Sequence, residues 1–586
     1  MDFKYKNINS IKGFGNDILL NILKARGIQD TNLFLNLTDK VLEDYKNYDN
    51  MDIGSKTYLK HVNDENKIGI VIDFDCDGFT SASEMYLYTK DVCNKLNKSF
   101  NVEYLMHDHK SHGLDNNIMK LIEKGNYKLL LIPDAGTNDY KQHEKLKQLG
   151  MDIICLDHHQ SKKYSDDAII INNQLSNKIK NKSMTGVGVV YKFCKYIDEI
   201  LGVNYADKYL DIVSIGMIAD SADLRDLESR YLVLEGLKLI QSNTNKNRFI
   251  STLFKEKSYS MNNIVTIIGV AFYMCPAINC IIRGGNDTER DILFKAFIGT
   301  SDTYIDKIRG KGEVEMGVED YAIRLYTKLK RKQDKLVDKE VTRLSEQIEK
   351  YKLNQAEIMV IDGRDNEDNT FNRVIINKLA DKYKKHGMLL TNVKDKQGVL
   401  GGSASGCKNK EISDLRTWCE QSKLFIFSQG HPNAFGVQIS ENNVQQLYNI
   451  ISQIPTEDVL TYIVDGIFDE NNLSDNIVKM IGNFDTVWGN KLDEPLFALE
   501  NLNIPSSDVM IMGKNKTTLK INYNNISLIK FKSSEDEYNE IIKNDNNKFT
   551  IIGRFKINEY NGNTYGQILI ENYKFEKTNE VKAFKF

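Results

Sequence analysis

The chain is predicted to be a multidomain α/β protein, and three observations predict it. Its 586 residues exceed the size at which a single hydrophobic core stops growing. Between about residues 66 and 220, short apolar runs that end in an acidic residue alternate with polar, helix-like stretches, as in a parallel sheet with crossover helices. From about residue 497 the pattern changes to short apolar runs separated by turn residues, which predicts a small all-β barrel.

The runs of the first block are Ile68–Asp73, Leu129–Asp134, Ile153–Asp157 and Ala168–Asn172. In open parallel sheets the carboxyl ends of the strands face one crevice, so Asp73, Asp75, Asp77, Asp134, Asp157, His158 and His159 are expected to converge there. After about residue 301 the periodicity becomes helical and predicts a long connecting helix through Arg324–Lys339 and Val341–Lys350. A second α/β block begins near Ala356–Asp362 and holds two glycine-rich segments, Gly401–Gly406 and Gln429–Gly436. The tail strands are expected at Leu519–Tyr523, Ile526–Phe531, Phe549–Phe555 and Gln567–Ile570.

Composition narrows the function classes. Hydrophobic residues make up 41% and charged residues 27%, which excludes a largely disordered chain. The eight cysteines contain no Cys-x-x-Cys pair, so neither a zinc ribbon nor a disulfide framework is indicated. Apolar runs such as Lys128–Pro133 fall short of a membrane span and no signal peptide opens the chain, so a cytoplasmic location is expected. The net charge of -3 gives no global basic signature, and any nucleic-acid binding must come from local patches.

The strongest chemical signal is Ile72–Ser81, where Asp73, Asp75 and Asp77 crowd the end of a strand and Gly78 allows a tight turn into a helix. Mutual repulsion makes such crowding costly unless the carboxylates ligate divalent cations. An Asp-rich solvated turn is the bland alternative. The second signal is Asp157-His158-His159, closing another apolar strand in a chain with nine histidines. Imidazole together with several carboxylates suits manganese; one core histidine beside one exposed histidine is the alternative. Asp134, and Asp220 at the end of Ser214–Asp220, each read alone as a cap. The set carries the inference.

These motifs, in this order, resemble the DHH phosphoesterase family and, within it, the RecJ single-strand-specific exonucleases. The resemblance begins at Leu19–Ile28 and takes Asp73–Gly78 as the first metal motif, Asp134 as the second, Asp157-His158-His159 as the triplet that names the family, and Ala219-Asp220 as the fourth. Gly186–Val189 is similar to the segment after the triplet. Pro276–Arg283 is similar to a stretch whose asparagine and arginine, here Asn279 and Arg283, approach DNA phosphates. Gly402–Gly406, with Ser403, and Gly430–Gly436, with His431, resemble the phosphate-binding and Gly-His motifs of the DHH-associated domain. Trp488-Gly489, Glu494–Phe497 and Asn558–Gln567 resemble the entry to an OB-fold and its late strands.

The resemblance implies a parallel-sheet DHH domain joined by a long helix to a smaller α/β DHH-associated domain, plus a C-terminal β-barrel OB-fold. The expected divisions are an N-terminal helical extension (1–50), the DHH catalytic domain (51–300), a connecting helix (301–353), the DHH-associated substrate-binding domain (354–465), and a linker with the OB-fold (466–586). It also implies two-metal hydrolysis of single-stranded DNA in the 5′-to-3′ direction to 5′-mononucleotides, in repair, recombination or replication. The cofactor expected is Mn2+, as two ions, with Mg2+ the alternative. Metal ligands are then Asp73, Asp75, Asp77, Asp134, Asp157, His158 and Asp220, with Asp73 and Asp157 orienting the others where they do not ligate. His159 is placed against the scissile phosphate or the nucleophile. Asn279, Arg283, Ser403, Gly430 and His431 hold substrate. Single-stranded DNA is the partner, with a single-strand-binding protein or helicase as further candidates.

The chain departs from the RecJ pattern in places. His107–Gly113 stands where an arginine and a Gly-Tyr-Gly are usual, the second motif continues Asp134-Ala-Gly-Thr-Asn138, Ile282 precedes Arg283 where glycine is usual, and Ser403-Ala-Ser405 lacks a basic residue. Arg324–Lys339 carries seven Lys or Arg against two Asp, which suits a phosphate track or, equally, a solvated helical face. Tyr523, Phe555, Tyr560 and Tyr565 are candidates for base stacking, with barrel core as the alternative. A phosphodiesterase for short oligonucleotides or cyclic dinucleotides shares the same cluster but generally lacks the OB-fold, and a DHH-type pyrophosphatase is generally shorter. A non-catalytic replication scaffold would have replaced ligands, and here all matched ligands remain.

Overall fold

Alternation along the buried strands creates two cores on opposite faces of one parallel sheet. Ile68, Ile70, Ile72, Leu129, Leu131, Ile154, Leu156 and Ile171 enter one core, whereas Val71, Leu130, Ile132, Ile153, Cys155 and Ile170 enter the other. Successive side chains of a strand point to opposite faces, so near-continuous apolar runs need cover on both sides. Helices Met51–Asn63, Cys76–Leu96 and Gly186–Leu201 cover the first face, and Leu210–Ala219 packs on the last two of them. Helices Asn116–Gly125 and Tyr140–Gln148 cover the second. The structure, a computed structural model, describes residues 3–8, 17–108, 111–242, 247–366, 369–393, 396–456, 459–560 and 562–577.

The five strands lie in the order Val102–Met106, Ile68–Ile72, Leu129–Pro133, Asp152–Asp157, Ile169–Asn172, all parallel. Ile68–Ile72, the first strand in sequence, pairs on one side with the second and on the other with the third. That makes its carboxyl end the topological switch point, where crossovers diverge and leave a crevice.

The chain forms two compact units. One comprises Ile28–Lys330 with Thr486–Asp493, and contains the parallel sheet. The other comprises Met1–Gly27, Arg331–Asp485 and Glu494–Phe586. Its five-stranded sheet has the order Phe425–His431, Ala434–Ser440, Val399–Ser405, His386–Asn392, Ile358–Asp362, the last pair parallel and the others antiparallel. Its seven-stranded sheet has the order Gly466–Phe468, Phe497–Pro505, Asn546–Tyr560, Asn563–Lys577, Ile526–Phe531, Thr518–Tyr523, Val509–Met512.

Several local expectations change. The N-terminal segment opens on a strand, Phe3–Asn7, paired in parallel with Leu460–Val464, before its first helix at Ile18–Ala25. Its Phe-Lys-Tyr-Lys alternation has period two, which a helical reading overlooks. The region from 301 begins with an antiparallel ribbon, Thr303–Ile308 with Gly312–Gly317, whose turn contains Gly310 and Gly312 at φ 83° and 77°. Only then does the helix Val318–Lys350 start. Its charge is partly neutralised, because Asp306 of the ribbon pairs with Arg324 at 2.5 Å and Lys328 at 2.7 Å. Trp488 and Gly489 belong to the unit of the parallel sheet rather than to the barrel-like tail, and Gly489 packs on Ile267.

In the tail, Phe555 is core, 4.5 Å from Phe497 and 5.1 Å from Phe468 between ring centres. Tyr565 is exposed and Tyr523 half-buried, while the side chain of Tyr560 lies outside the described residues. All eight cysteines are free thiols. Among the described residues, Ile267–Gly284 is apolar and long enough to span a membrane by composition, and 56% of it is buried inside the protein.

Two buried histidines set a pH dependence. His143 lies against Ser165 Oγ (3.1 Å) and Cys155 Sγ (3.6 Å), and His386 accepts from the Cys407 amide at 3.0 Å. Burial lowers each from 6.5 to about 4. The unfolded chain therefore binds protons near pH 6 that the folded chain refuses, and this contribution to stability is lost as pH falls from 6.5 towards 4. We expect the stability advantage of wild type over His143→Gln, measured by chemical denaturation of the full chain, to narrow by on the order of 2 kcal/mol between pH 7 and 4.5. A constant difference across that range would contradict it.

Candidate metal centre

The loop after Ile68–Ile72 turns three aspartates in different directions. Asp75 caps the helix Cys76–Leu96, accepting from the Gly78 amide at 3.0 Å. Asp77, in the first turn and buried, accepts from the amides of Gly186 (2.8 Å) and Val187 (3.1 Å). Those amides open the helix Gly186–Leu201, so its positive end faces a carboxylate. Asp73, also buried, takes His112 Nδ1 at 2.6 Å on one oxygen and the Gly113 amide at 3.1 Å on the other.

Asp134 follows Leu129–Pro133 in the left-handed region, φ 63°, while its amide donates to Leu156 of the neighbouring strand at 2.8 Å. A non-glycine residue there is strained, and surrounding structure must hold it. Its Oδ1 is buried without a hydrogen bond among the described residues, 3.2 Å from His158 Nε2. Gly186 makes this approach possible: a Cβ there would lie 2.2 Å from the same oxygen. Asp220 ends the helix Leu210–Ala219, where the macrodipole disfavours an anion, and its Oδ2 lies 3.7 Å from His158 Nε2.

Asp157 is differently employed. Its Oδ1 accepts from the amides of His158 (2.7 Å) and His159 (3.0 Å) and contacts His159 Nδ1 at 2.7 Å, and its Oδ2 accepts from the Thr137 amide at 3.0 Å. With both oxygens taken, Asp157 stands outside the groups whose ligand atoms lie within 4.8 Å of one another. Those groups are Asp134, His158 and His159; Asp77, His158 and Asp220; and Asp73, Asp75 and Asp134.

The electrostatics follow from this crowding. Burial first, then Asp220 and Asp75, push Asp77 well above the usual carboxylate range, and burial with Asp77, Asp75, Asp73 and Asp220 does the same to Asp134. Burial opposes ionisation of Asp157 too, but the hydrogen bond and charge of His159 outweigh it and hold that carboxyl far below its ordinary value. For His159, burial is likewise outweighed by Asp157, and its pKa rises to about 9. Burial lowers His158, which keeps the imidazole neutral as a ligand must be. A surplus of buried carboxylate, one orphaned acceptor and a neutral imidazole fit a divalent cation with mixed oxygen and nitrogen preference.

The fold thus brings together Asp73, Asp75, Asp77, Asp134, His158, His159 and Asp220. Asn279 and Arg283 lie in the same unit on the helix Cys275–Gly284. Ser403, Gly430 and His431 lie in the other unit. His431 ends a strand: Phe425–His431 and Ala434–Ser440 form a tight hairpin about Pro432 and Asn433. The registers Ser403↔Gly436↔Gln429 and Ser405↔Ala434↔His431 put Ser403 and His431 on one face, floored by small residues. Sequence reasoning did not assign His112, Thr137 or Gly186 a role at the centre. His112 was visible only as a departure from the family pattern, and the Thr137 contact is made by its backbone.

Comparison with known proteins agrees with this geometry. The N-terminal domain of the DHH family matches residues 67–217 and the RecJ OB domain matches residues 464–572. The putative SPbeta prophage-derived single-strand DNA-specific exonuclease YorK of Bacillus subtilis is 34% identical over 96% of this chain and 97% of its own length. The single-stranded-DNA-specific exonuclease RecJ of the same organism is 24% identical over 94% of this chain and 67% of its own. The crystal structure of Thermus thermophilus RecJ in complex with Mn2+ superposes with a TM-score of 0.73 at 16% identity, covering 98% of this chain and 80% of that one. With that extent of identity and both domains matched, the chain belongs to the RecJ family of single-strand-DNA-specific exonucleases within the DHH phosphoesterases.

Proposed function

We propose that the protein hydrolyses single-stranded DNA from its 5′ end to 5′-mononucleotides in repair, recombination or replication, with divalent cations at the Asp134 cluster. The observation that carries the reading is Asp134 itself, a strained, buried aspartate with an unsatisfied oxygen among four other carboxylates and His158. Asp73, Asp75, Asp77, Asp134, His158 and Asp220 hold the ions, two Mn2+ with Mg2+ as the alternative. When bound, such ions neutralise charge on a phosphodiester and stabilise the attacking and leaving oxygens of an in-line displacement.

The chain's own residues do the rest. Asp157 fixes His159 in its protonated form, and the half-exposed ring offers its other N–H to the scissile phosphate. His112 and the Gly113 amide hold Asp73 in orientation, as the Gly186 and Val187 amides hold Asp77. Asn279, Arg283, Ser403, Gly430 and His431 bind phosphates of the strand. The RecJ OB domain adds a second surface for single strands, with exposed Tyr565 available for stacking. A helicase or single-strand-binding protein supplies the strand, in the cytoplasm, where eight free thiols stay reduced.

The test is digestion of a single-stranded oligomer labelled at either end, with Mn2+, Mg2+ or chelator. Manganese-dependent mononucleotide release from the 5′ end is expected, and Asp134→Ala abolishes it. Release from the 3′ end would overturn the polarity. Hydrolysis confined to dinucleotides or cyclic dinucleotides would point to a short-substrate phosphodiesterase, and binding without cleavage to a scaffold. A second expectation separates the two histidine-linked roles. His159→Gln lowers kcat by about 10²–10³-fold, as for loss of one transition-state donor, and Asp157→Asn by about 10–100-fold, as for loss of an orienting partner. An Asp157→Asn enzyme with wild-type kcat would show that the Asp157–His159 contact has no part in the reaction.

A further inference from the structure

The segment from Ile267 to Gly284 leaves apolar surface open where a core helix would hide it. Phe272 is 70% exposed and Tyr273 42% exposed. They lie in a π-helical turn, Val270–Met274, immediately before the helix Cys275–Gly284. Pro276 explains that turn: it has no amide to close an α-helical bond to the carbonyl of Phe272, so the backbone widens there.

Exposure continues along one stripe. Phe272 and Pro276 are exposed, Asn279 is half-buried and Arg283 is exposed, at spacings of four, three and four residues. Residues between them, including Met274, Cys275, Ala277, Ile278, Ile281 and Ile282, are buried in the core of the parallel-sheet unit. The stripe is thus one helical face with aromatic surface at its amino end and a cation at its carboxyl end, roughly 16 Å apart at 1.5 Å per residue.

The buried side of this segment packs on the helix that carries Asp77 and on the helix that ends at Asp220. Cys275 donates to the Ile215 carbonyl, in the helix that ends at Asp220, at 3.7 Å. The exposed aromatics immediately precede Cys275 on the chain, the residue that reaches the helix ending at Asp220. Beyond them, Asn279 Oδ1 is buried without a hydrogen bond among the described residues.

We propose that Phe272, assisted by Tyr273, is a base-stacking platform that orders the single strand beside the metal centre while Asn279 and Arg283 take its phosphates. The inference rests on the function proposed above and deepens it by naming what selects an unpaired strand. Every base has a π-face, so an aromatic platform is tolerant of sequence, but a base is offered to it only when unstacked from a duplex. The occupant is nucleic acid, not a protein helix, because the aromatic surface runs into an amide and a guanidinium on the same face. A partner helix seeking apolar cover would meet polar groups within two turns.

The experiment measures binding of fluorescent oligo(dT), and of an abasic strand of equal length, to the full chain in chelator, where no hydrolysis occurs. Phe272→Ala is expected to weaken oligo(dT) binding by about 5- to 150-fold, the range for loss of one base–aromatic stack. Abasic binding should be unchanged, since the phosphates remain, and Phe272→Trp should restore oligo(dT) binding. Equal loss on both strands, or wild-type affinity for oligo(dT), would overturn the platform. If wild type cleaves no oligomer yet its oligo(dT) binding depends on Phe272 in this way, the exonuclease reading fails while the platform stands.

Discussion

Like charges crowd the carboxyl ends of buried parallel strands here, and most of the surrounding architecture answers to that repulsion. Asp77, Asp134 and Asp220 bring ligand atoms within 4.8 Å of His158, and Asp73 and Asp75 do the same with Asp134, several of them out of reach of water. Helix amino ends, backbone amides and imidazoles are aimed at individual oxygens, and the remaining negative charge is what a divalent cation compensates. The strand order matters for the same reason. At a switch point crossovers leave in opposite directions, and their first turns can all be turned inwards.

Support for the cluster is backbone-rich. Asp77 is held by the amides of Gly186 and Val187, Asp73 in part by that of Gly113, and Asp157 by those of Thr137, His158 and His159. Backbone donors have no rotamer freedom to lose, so a site built on them is preorganised. Gly186 has a second role, since a side chain there would occupy the position of Asp134 Oδ1. A glycine far along the chain from the first metal motif is thereby as much part of the centre as the aspartates.

Division of labour among similar residues is set by surroundings. Asp157 and Asp134 each follow a buried apolar strand, yet one is saturated with donors and deeply ionised while the other retains a bare oxygen and a raised pKa. His158 and His159 are adjacent, with ring centres 4.6 Å apart, yet one is neutral beside carboxylates and the other is protonated on Asp157. These contrasts make the first of each pair suited to one task and the second to another.

The parallel sheet and the convergence of its strand ends, with Asp73, Asp75, Asp77, Asp134 and His158, were legible in the chain, because apolar runs and the acids that end them are local patterns, whereas Asp220, read alone as a cap, entered only through the family resemblance. The tail strands were legible for a like reason. The ribbon at 303–317 and the strand Phe3–Asn7 were not, since five or six residues of alternation are easily read into a neighbouring helix, and Phe3–Asn7 is a strand only because Leu460–Val464 pairs with it. That Asp157 serves His159, that His112 holds Asp73, that Phe555 is core, and that Phe272 is exposed depend on contacts between residues far apart in sequence. Tertiary packing alone decides which oxygen is satisfied and which ring is left uncovered.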